Sequence, residues 1–262
     1  MNNRISQLIQ SDSKSKWLIP FFTAGYPKLN SLPELVKIAE SAGCDMVEIG
    51  MPFSDPMADG PEIQFSSHTA LNNGISLNLI FEQIATIRKK SSIPLIMMGY
   101  YNPVHAFGYK RFLKRAKSAG ADGFIIPDLP LDEAGDFRNE CQKNDLSLTF
   151  LASPTSTPER LKLIDRMSTD FVYAVTVTGV TGSGKKYTNS TDYYLKSLKK
   201  ELNLKFVAGF GVSDVMSAKR LTRFADGVVI GSALIRMIKE AKNQKAGFDK
   251  IGRFLRQIKG AL

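Results

Sequence analysis

The sequence predicts an α/β protein: a single (β/α)8 TIM barrel spanning residues 1–262, preceded by an extra N-terminal helix. Three observations lead there. Short runs rich in Val, Ile, Leu and Phe alternate with segments of helical periodicity, and eight such runs can be counted. Runs of this kind belong to parallel strands buried on both faces. Each run ends in a turn dense in Gly, Pro, Asp or Asn, with no linker or shift of composition between units. Eight units in 262 residues suit a closed barrel, which typically takes about 250, better than an open doubly wound sheet.

The N-terminal MNNRISQLIQ has the pattern of a short amphipathic helix and lacks the apolar block of a signal peptide. Trp17–Thr23 is the first strand, feeding a turn at Ala24–Pro27. Leu35, Ile38 and Ala39 give Leu32–Ala42 a helical stripe, which Gly43 stops. The second strand runs through Val47 and Ile49 to Gly50, and a helical region follows from Glu62 to Lys90, broken near Gly74. Ile93–Met98 is a strand leading into a loop at Gly99–Pro103; Phe107–Ala119 is a helix closed by Gly120. The remaining strands are Gly123–Ile126, Leu146–Leu151, Phe171–Val177, Lys205–Ala208 and Gly227–Ile230. The helices between them are Asp132–Lys143, Pro158–Met167, Thr191–Leu202 and Ser213–Phe224, and the C-terminus is helical. In a (β/α)8 barrel every strand points its C-terminal end to one face, where catalytic groups gather.

One stretch dominates that face: Asp45–Gln64, DMVEIGMPFSDPMADGPEIQ. Strand side chains alternate, so Met46 and Glu48 share one face while Val47 and Ile49 share the other. With helices over Val47 and Ile49, Glu48 points into the barrel, where an unpaired carboxylate loses several kcal/mol of hydration. A second acid, Asp59, follows eleven residues later in the loop. Two acids in unlike surroundings, one desolvated and one in a polar loop, suit acid–base chemistry near neutral pH. Taken singly, Glu48 reads more simply as a strand-end residue in a surface ion pair, and Asp55 and Asp59 as residues that shape turns.

The run Glu48–Gln64 resembles the signature of the tryptophan synthase alpha subunit, E-(L/I)-G-x-P-F-S-D-P-x-A-D-G-P-x-I-Q, with Met51, Met57 and Glu62 at the variable places. IPFFTAGYP, YNPV, GFIIPDLP, GVTG, GFGVS and DGVVIGSA extend the likeness over essentially the whole chain. The resemblance implies a lyase that cleaves indole-3-glycerol phosphate to indole and glyceraldehyde 3-phosphate, with Glu48 and Asp59 as catalytic residues and no cofactor. It further implies an apolar slot walled by Phe21, Tyr100, Tyr173 and Phe210. Strand alternation turns Phe21, Met98, Tyr100, Ile125 and Tyr173 inward, where filling barrel layers is the competing role.

Two glycine clusters, Gly209-Phe210-Gly211 and Gly231-Ser232-Ala233, follow the last two strands, where barrels often hold a phosphate on backbone N–H groups. Ending strands is their simpler role. In the resembled family they bind the substrate's phosphate together with Gly182. Gly179–Lys186 (GVTGSGKK) approaches a P-loop, but Lys186 stands where Mg²⁺ needs a hydroxyl ligand, and the motif follows the sixth strand instead of the first. The resemblance instead makes it a closing loop whose Thr181 engages Asp59. Thr176-Val177 replaces the Ser-Arg of some members, Lys185-Lys186-Tyr187 is unusually basic, and Tyr26 stands where many members have Asp.

Two cysteines and two histidines fit no metal-ligand spacing. The net charge of +10 is spread along helix faces without the aromatic interleaving of a nucleic-acid platform. No run approaches the roughly 18 to 20 apolar residues of a membrane span. A cytoplasmic enzyme with neither nucleic-acid nor membrane partners is expected. The resemblance adds a pyridoxal-phosphate beta subunit in an α2β2 assembly, contacted through Met51–Asp59, Asn102–Phe107 and Asp128–Asp132, with Met51 and Met57 exposed. Another phosphate-binding barrel enzyme, or a non-catalytic activator of the beta subunit, remains an alternative.

Overall fold

A computed structural model describes residues 2–11, 15–176, 189–209 and 211–262. Nine parallel strands form one sheet: β1 (Trp17–Thr23), β2 (Val47–Gly50), β3 (Leu95–Met98), β4 (Gly123–Ile125), β5 (Ser147–Thr149), β6 (Leu151–Ala152), β7 (Phe171–Val175), β8 (Lys205–Gly209) and β9 (Gly227–Ile230). Their order, β5-β4-β3-β2-β1-β9-β8-β7-β6, is that of a barrel cut at one strand. The expected strand Leu146–Leu151 is that strand. Its first half pairs with β4 (Ile125 opposite Thr149) and its second with β7 (Leu151 opposite Tyr173). Phe150 lies between the halves, and its carbonyl accepts from Tyr173 N at 3.0 Å, so the backbone bridges the ring where the ladder pauses.

Register then decides which side chains face the interior. Phe21, Glu48, Ile96, Gly123 and Ser147 form one continuous row across neighbouring strands, and Gly50, Met98, Ile125 and Thr149 the next row up. Partners in a parallel ladder share a face, so both rows point inward with Glu48. Their alternates, Phe22, Val47, Ile49, Met97 and Phe124, lie buried under the surrounding helices.

Helix α1 (Arg4–Ser11) closes the N-terminal end of the barrel. Ile5 is fully buried and reaches the place a side chain on Gly123 would occupy. Asn3 Nδ2 donates to Ser147 Oγ at 2.9 Å, and Ser6 Oγ to Asp170 at 2.7 Å. Deeper in, Trp17 meets the Phe171 ring edge-on at 6.4 Å, and the Lys205 ammonium lies 4.7 Å from the Trp17 ring.

Helix α2 (Leu32–Ser41) follows β1, and the expected long helical region is two helices, α3 (Pro61–Asn72) and α4 (Leu77–Arg88). Gly74, at φ +84°, makes the break, a conformation costly for a side chain with a Cβ. The expected loop after β3 contains a helix, α5 (Tyr101–Phe107); Asp128, from the loop after β4, accepts from Tyr101 N at 2.8 Å and caps it. Helices α6 (Tyr109–Ala119), α7 (Gly135–Lys143), α8 (Pro158–Met167), α9 (Asn189–Glu201) and α10 (Val215–Thr222) follow the expected order. The C-terminal region forms α11 (Ser232–Lys239) and α12 (Gln244–Lys259). Among the described residues, no helix is long and apolar enough to cross a membrane.

Candidate active site

Glu48 sits mid-strand on β2, 1% exposed, between Phe21 on β1 and Ile96 on β3 in its row. Neither carboxyl oxygen has a hydrogen-bond partner among the described residues. Burial raises its pKa from the ordinary carboxyl range to about 8, and the nearby charge of Asp59 adds to the rise. A neutral carboxyl avoids most of the dehydration an ionised one would suffer there, so at pH 7 Glu48 is held mainly protonated.

Asp59 lies in the loop after β2, two residues before α3. The sequence places it in a polar loop; the structure packs that loop more closely. Burial raises Asp59 to about 6, opposed by a hydrogen bond from the Tyr100 hydroxyl. That hydroxyl also accepts from Ala58 N at 2.9 Å, so Tyr100, just past the end of β3, holds the loop at two consecutive residues. From the other side, Gln64 Nε2 donates to the Asp59 carbonyl at 2.9 Å. The two acids thus keep unlike proton affinities, Glu48 above neutrality and Asp59 below it.

Phe21, Met98 and Ile125 lie in the inward rows that strand alternation predicts. Phe21 is buried in the same row as Glu48, against the space left by Gly50, where an added Cβ would come within 2.4 Å of its ring. Tyr173 similarly occupies the space beside Gly209: a Cβ there would lie 2.1 Å from its hydroxyl oxygen. Gly209 therefore has a packing reason of its own, clearance for an aromatic wall, besides any phosphate role. Met98 is half-buried and Ile125 fully buried on the inward row. Phe53, not among the residues that strand alternation turns inward, meets Tyr100 at 5.3 Å between ring centroids and extends the apolar surface into the loop. Its position inside the signature stretch was the available signal.

At the other side of the mouth, Gly211 adopts φ +85°. Gly231 begins α11, with Ser232 its first residue and no side chain capping it. The first N–H groups of such a helix are open donors with the positive end of the helix dipole behind them, suited to an anion. Thr176 is buried and donates through Oγ1 to the Gly209 carbonyl at 2.7 Å, tying the end of β7 to β8. Thr181, Gly182 and Phe210, together with Val177 and Lys185-Lys186, lie outside the described residues. Of the two methionines expected on the exposed loop, Met57 is 89% exposed but Met51 only 5%; Met51 packs against Gly99, which has no side chain to exclude it.

A family model described as tryptophan synthase alpha chain matches residues 8–261. The chain belongs to the tryptophan synthase alpha chain family. The tryptophan synthase alpha chain of Flavobacterium psychrophilum is 41% identical over 259 residues, covering 98% of this chain and 99% of the relative. That of Pelobacter propionicus is 38% identical over 257 residues, covering 98% and 95%. Among solved structures, the tryptophan synthase subunit alpha from Legionella pneumophila is similar with a TM-score of 0.90 at 32% identity, covering 100% of this chain and 98% of that one. A chain of the Pyrococcus furiosus tryptophan synthase complex is similar with a TM-score of 0.85 at 34% identity, covering 94% and 100%. Membership of the alpha chain family makes the protein an enzyme of tryptophan synthesis. The departure at Tyr26 is accommodated by packing: its ring is buried and meets Phe65 edge-on at 6.0 Å.

Proposed function

We propose that this member of the tryptophan synthase alpha chain family is a carbon–carbon lyase that cleaves indole-3-glycerol phosphate to indole and glyceraldehyde 3-phosphate. The observation that carries the reading is Glu48, a buried, unpartnered carboxyl raised to about 8, at the catalytic face beside a second acid of lower pKa. The bond to be broken joins indole C3 to a hydroxyl-bearing carbon, and indole leaves poorly unless C3 is protonated first. Protonated Glu48 gives its proton to C3, and the ring becomes cationic. Asp59 accepts a hydrogen bond from the indole N–H and stabilises that charge. The Glu48 carboxylate then takes the proton of the adjacent hydroxyl. As the carbonyl forms, the C–C bond breaks, its electron pair returns to the ring, and Glu48 ends protonated as it began.

Phe21, Tyr100 and Tyr173 form the apolar walls for the ring. The open N-terminus of α11, with Gly209, Gly211, Gly231 and Ser232, takes the phosphate, leaving Thr181, Gly182 and Phe210 to complete the enclosure. The reaction needs no cofactor. A chain of the tryptophan synthase complex of Pyrococcus furiosus shares this fold, and an α2β2 assembly is named for that organism's enzyme. The same assembly, with a pyridoxal-phosphate beta subunit receiving the indole, is proposed for this chain. Exposed Met57 and the loop around it offer the contact surface. The test is direct: purified protein with indole-3-glycerol phosphate releases indole, faster when a beta subunit is added. No indole under either condition refutes the reading.

A further inference from the structure

The two ends of the proposed substrate site are carried by strands that are not neighbours. Asp59 follows β2 and the α11 cradle follows β9, with β1 between them. Across that gap the helices themselves are joined. Glu62, in the first turn of α3, accepts from Arg236 Nη2 of α11 at 2.9 Å. Three residues further along each helix, the Lys239 ammonium lies 4.2 Å from the Phe65 ring centroid. Positions three apart share a helix face, so the two contacts stack as a pair of rungs between α3 and α11.

The rungs sit close to the chemistry without touching it. Glu62 is three residues beyond Asp59, and Gln64, two further on, holds the Asp59 carbonyl. Arg236 is one turn beyond Ser232, at the proposed phosphate cradle. Glu62 is largely covered, with Oε2 buried and unpartnered among the described residues, whereas Arg236 is nearly half exposed. Arg236 thus satisfies only one oxygen of a partly desolvated acid, an arrangement poorly explained as a stabilising device. A bound substrate spans both ends, and the reacting carbon is placed by the separation of α3 from α11.

Resting on the functional reading above, we infer that the Glu62–Arg236 pair, seconded by Lys239 over Phe65, is a positioning clamp that keeps the Asp59 loop in register with the phosphate end of the site. Neither residue is catalytic; the clamp acts through Asp59. Displacing reacting groups by a fraction of an ångström lowers turnover with little effect on ground-state binding, and a tenfold loss is a modest instance of that effect.

The experiment compares kcat and KM for indole-3-glycerol phosphate in the wild type, E62Q, R236M and the reversed pair E62R/R236E, with thermal unfolding of each. E62Q is nearly isosteric and removes a half-satisfied buried charge, so it tests the clamp without threatening the fold. The expected result is kcat lowered about tenfold in both single variants, KM within about twofold of wild type, and most of kcat regained in the reversed pair. Unchanged kcat in E62Q and R236M, losses confined to KM or Tm, or no recovery in the reversed pair would overturn the clamp while leaving the lyase reading intact. A wild type that releases no indole overturns the lyase reading and the clamp with it.

Discussion

Two carboxyl groups are buried almost equally at opposite ends of the barrel, and they have been put to opposite uses. Asp122, just before β4 at the N-terminal end, has a side chain 2% exposed and accepts from Arg88 Nη2 at 2.7 Å, Arg4 Nη1 at 2.9 Å and Leu95 N at 2.9 Å. Glu48, facing the catalytic end, is 1% exposed and accepts from nothing among the described residues. Burial alone therefore does not raise a carboxyl's proton affinity; among the described residues Glu48 is raised because no partner offsets its burial. The N-terminal end repeats its own arrangement. Asp45 accepts from Leu18 N and the Lys259 ammonium, and Asp226 from Phe206 N, so an aspartate before one strand holds the start of its neighbour. These acids stitch the ring; Glu48, with no such partner among the described residues, is the one proposed to carry a proton.

The comparison can be broken most severely at Glu48. Glu48→Gln removes the carboxyl proposed to protonate the ring, and cleavage falls by at least about a thousandfold, measured as indole release at saturating substrate. The fold gains from the same change. A carboxyl raised from 4.5 to about 8 binds more protons folded than unfolded, so its contribution to stability declines as pH rises through that window. Gln carries no such penalty. The variant unfolds at a higher temperature than wild type at pH 8, and the gain disappears near pH 4, where both states are protonated. Loss of stability in Glu48→Gln at pH 8 would mean that the carboxylate has partners after all.

Asp122→Asn is the opposite experiment. Removing a buried charge that two guanidinium groups share leaves them unmatched, and a loss of roughly 3–5 kcal/mol is expected in denaturant unfolding. The remaining folded protein keeps its pH profile for indole release, since nothing at the catalytic face depends on Asp122. A shift in that profile would show that the two ends are not independent.

The pH profile itself sharpens the contrast. Activity requires Glu48 protonated and Asp59 ionised, so kcat/KM is bell-shaped, falling above about 8 as Glu48 loses its proton and below about 6 as Asp59 gains one. The two acids interact, and the limbs report the pair. A profile flat from pH 5 to 9 would remove both from the rate-determining proton transfers.

The two ends also differ in how far the sequence discloses them. Glu48 was legible because strand alternation leaves it only one direction once Val47 and Ile49 are assigned to the helix side. The clearance glycines Gly50 and Gly209 could be seen but not explained, since their reason is an aromatic ring on another strand. The start of helix α5 reads as a loop in the sequence: Asn102-Pro103 looks like a turn, and the aspartate that caps it comes from the following unit. Proline within a first helical turn breaks no hydrogen bond, so the local signal was neutral. The break at Phe150 was hidden for a related cause. Leu146–Leu151 reads as one continuous strand, and only closure of the ring divides its hydrogen bonds between two neighbours. Asp59 lies in the loop where the sequence places it, but its hydrogen bond to Tyr100 is not legible there, because Tyr100 comes from the end of another strand.

That last contact gives the mildest and most discriminating prediction. Tyr100→Phe keeps the ring against Phe53 and removes the hydroxyl that bonds Asp59 and Ala58 N. The hydrogen bond lowers the pKa of Asp59 while burial raises it, so without the hydroxyl the acid limb of the pH profile moves upward from about 6. One lost hydrogen bond to a charged group corresponds to roughly 1.5–3 kcal/mol at most, and loop adjustment or water replaces part of it, so kcat near pH 8 falls by no more than about tenfold. The direction of the limb matters more than the size of the loss. If Tyr100 served only as a wall for the indole ring, Phe would serve as well and the acid limb would stay in place. An upward shift with the alkaline limb fixed shows that Tyr100 acts on Asp59 and not on Glu48. The low-affinity proton site would then be assembled by a neighbouring strand, while the high-affinity one arises from burial with no partner among the described residues.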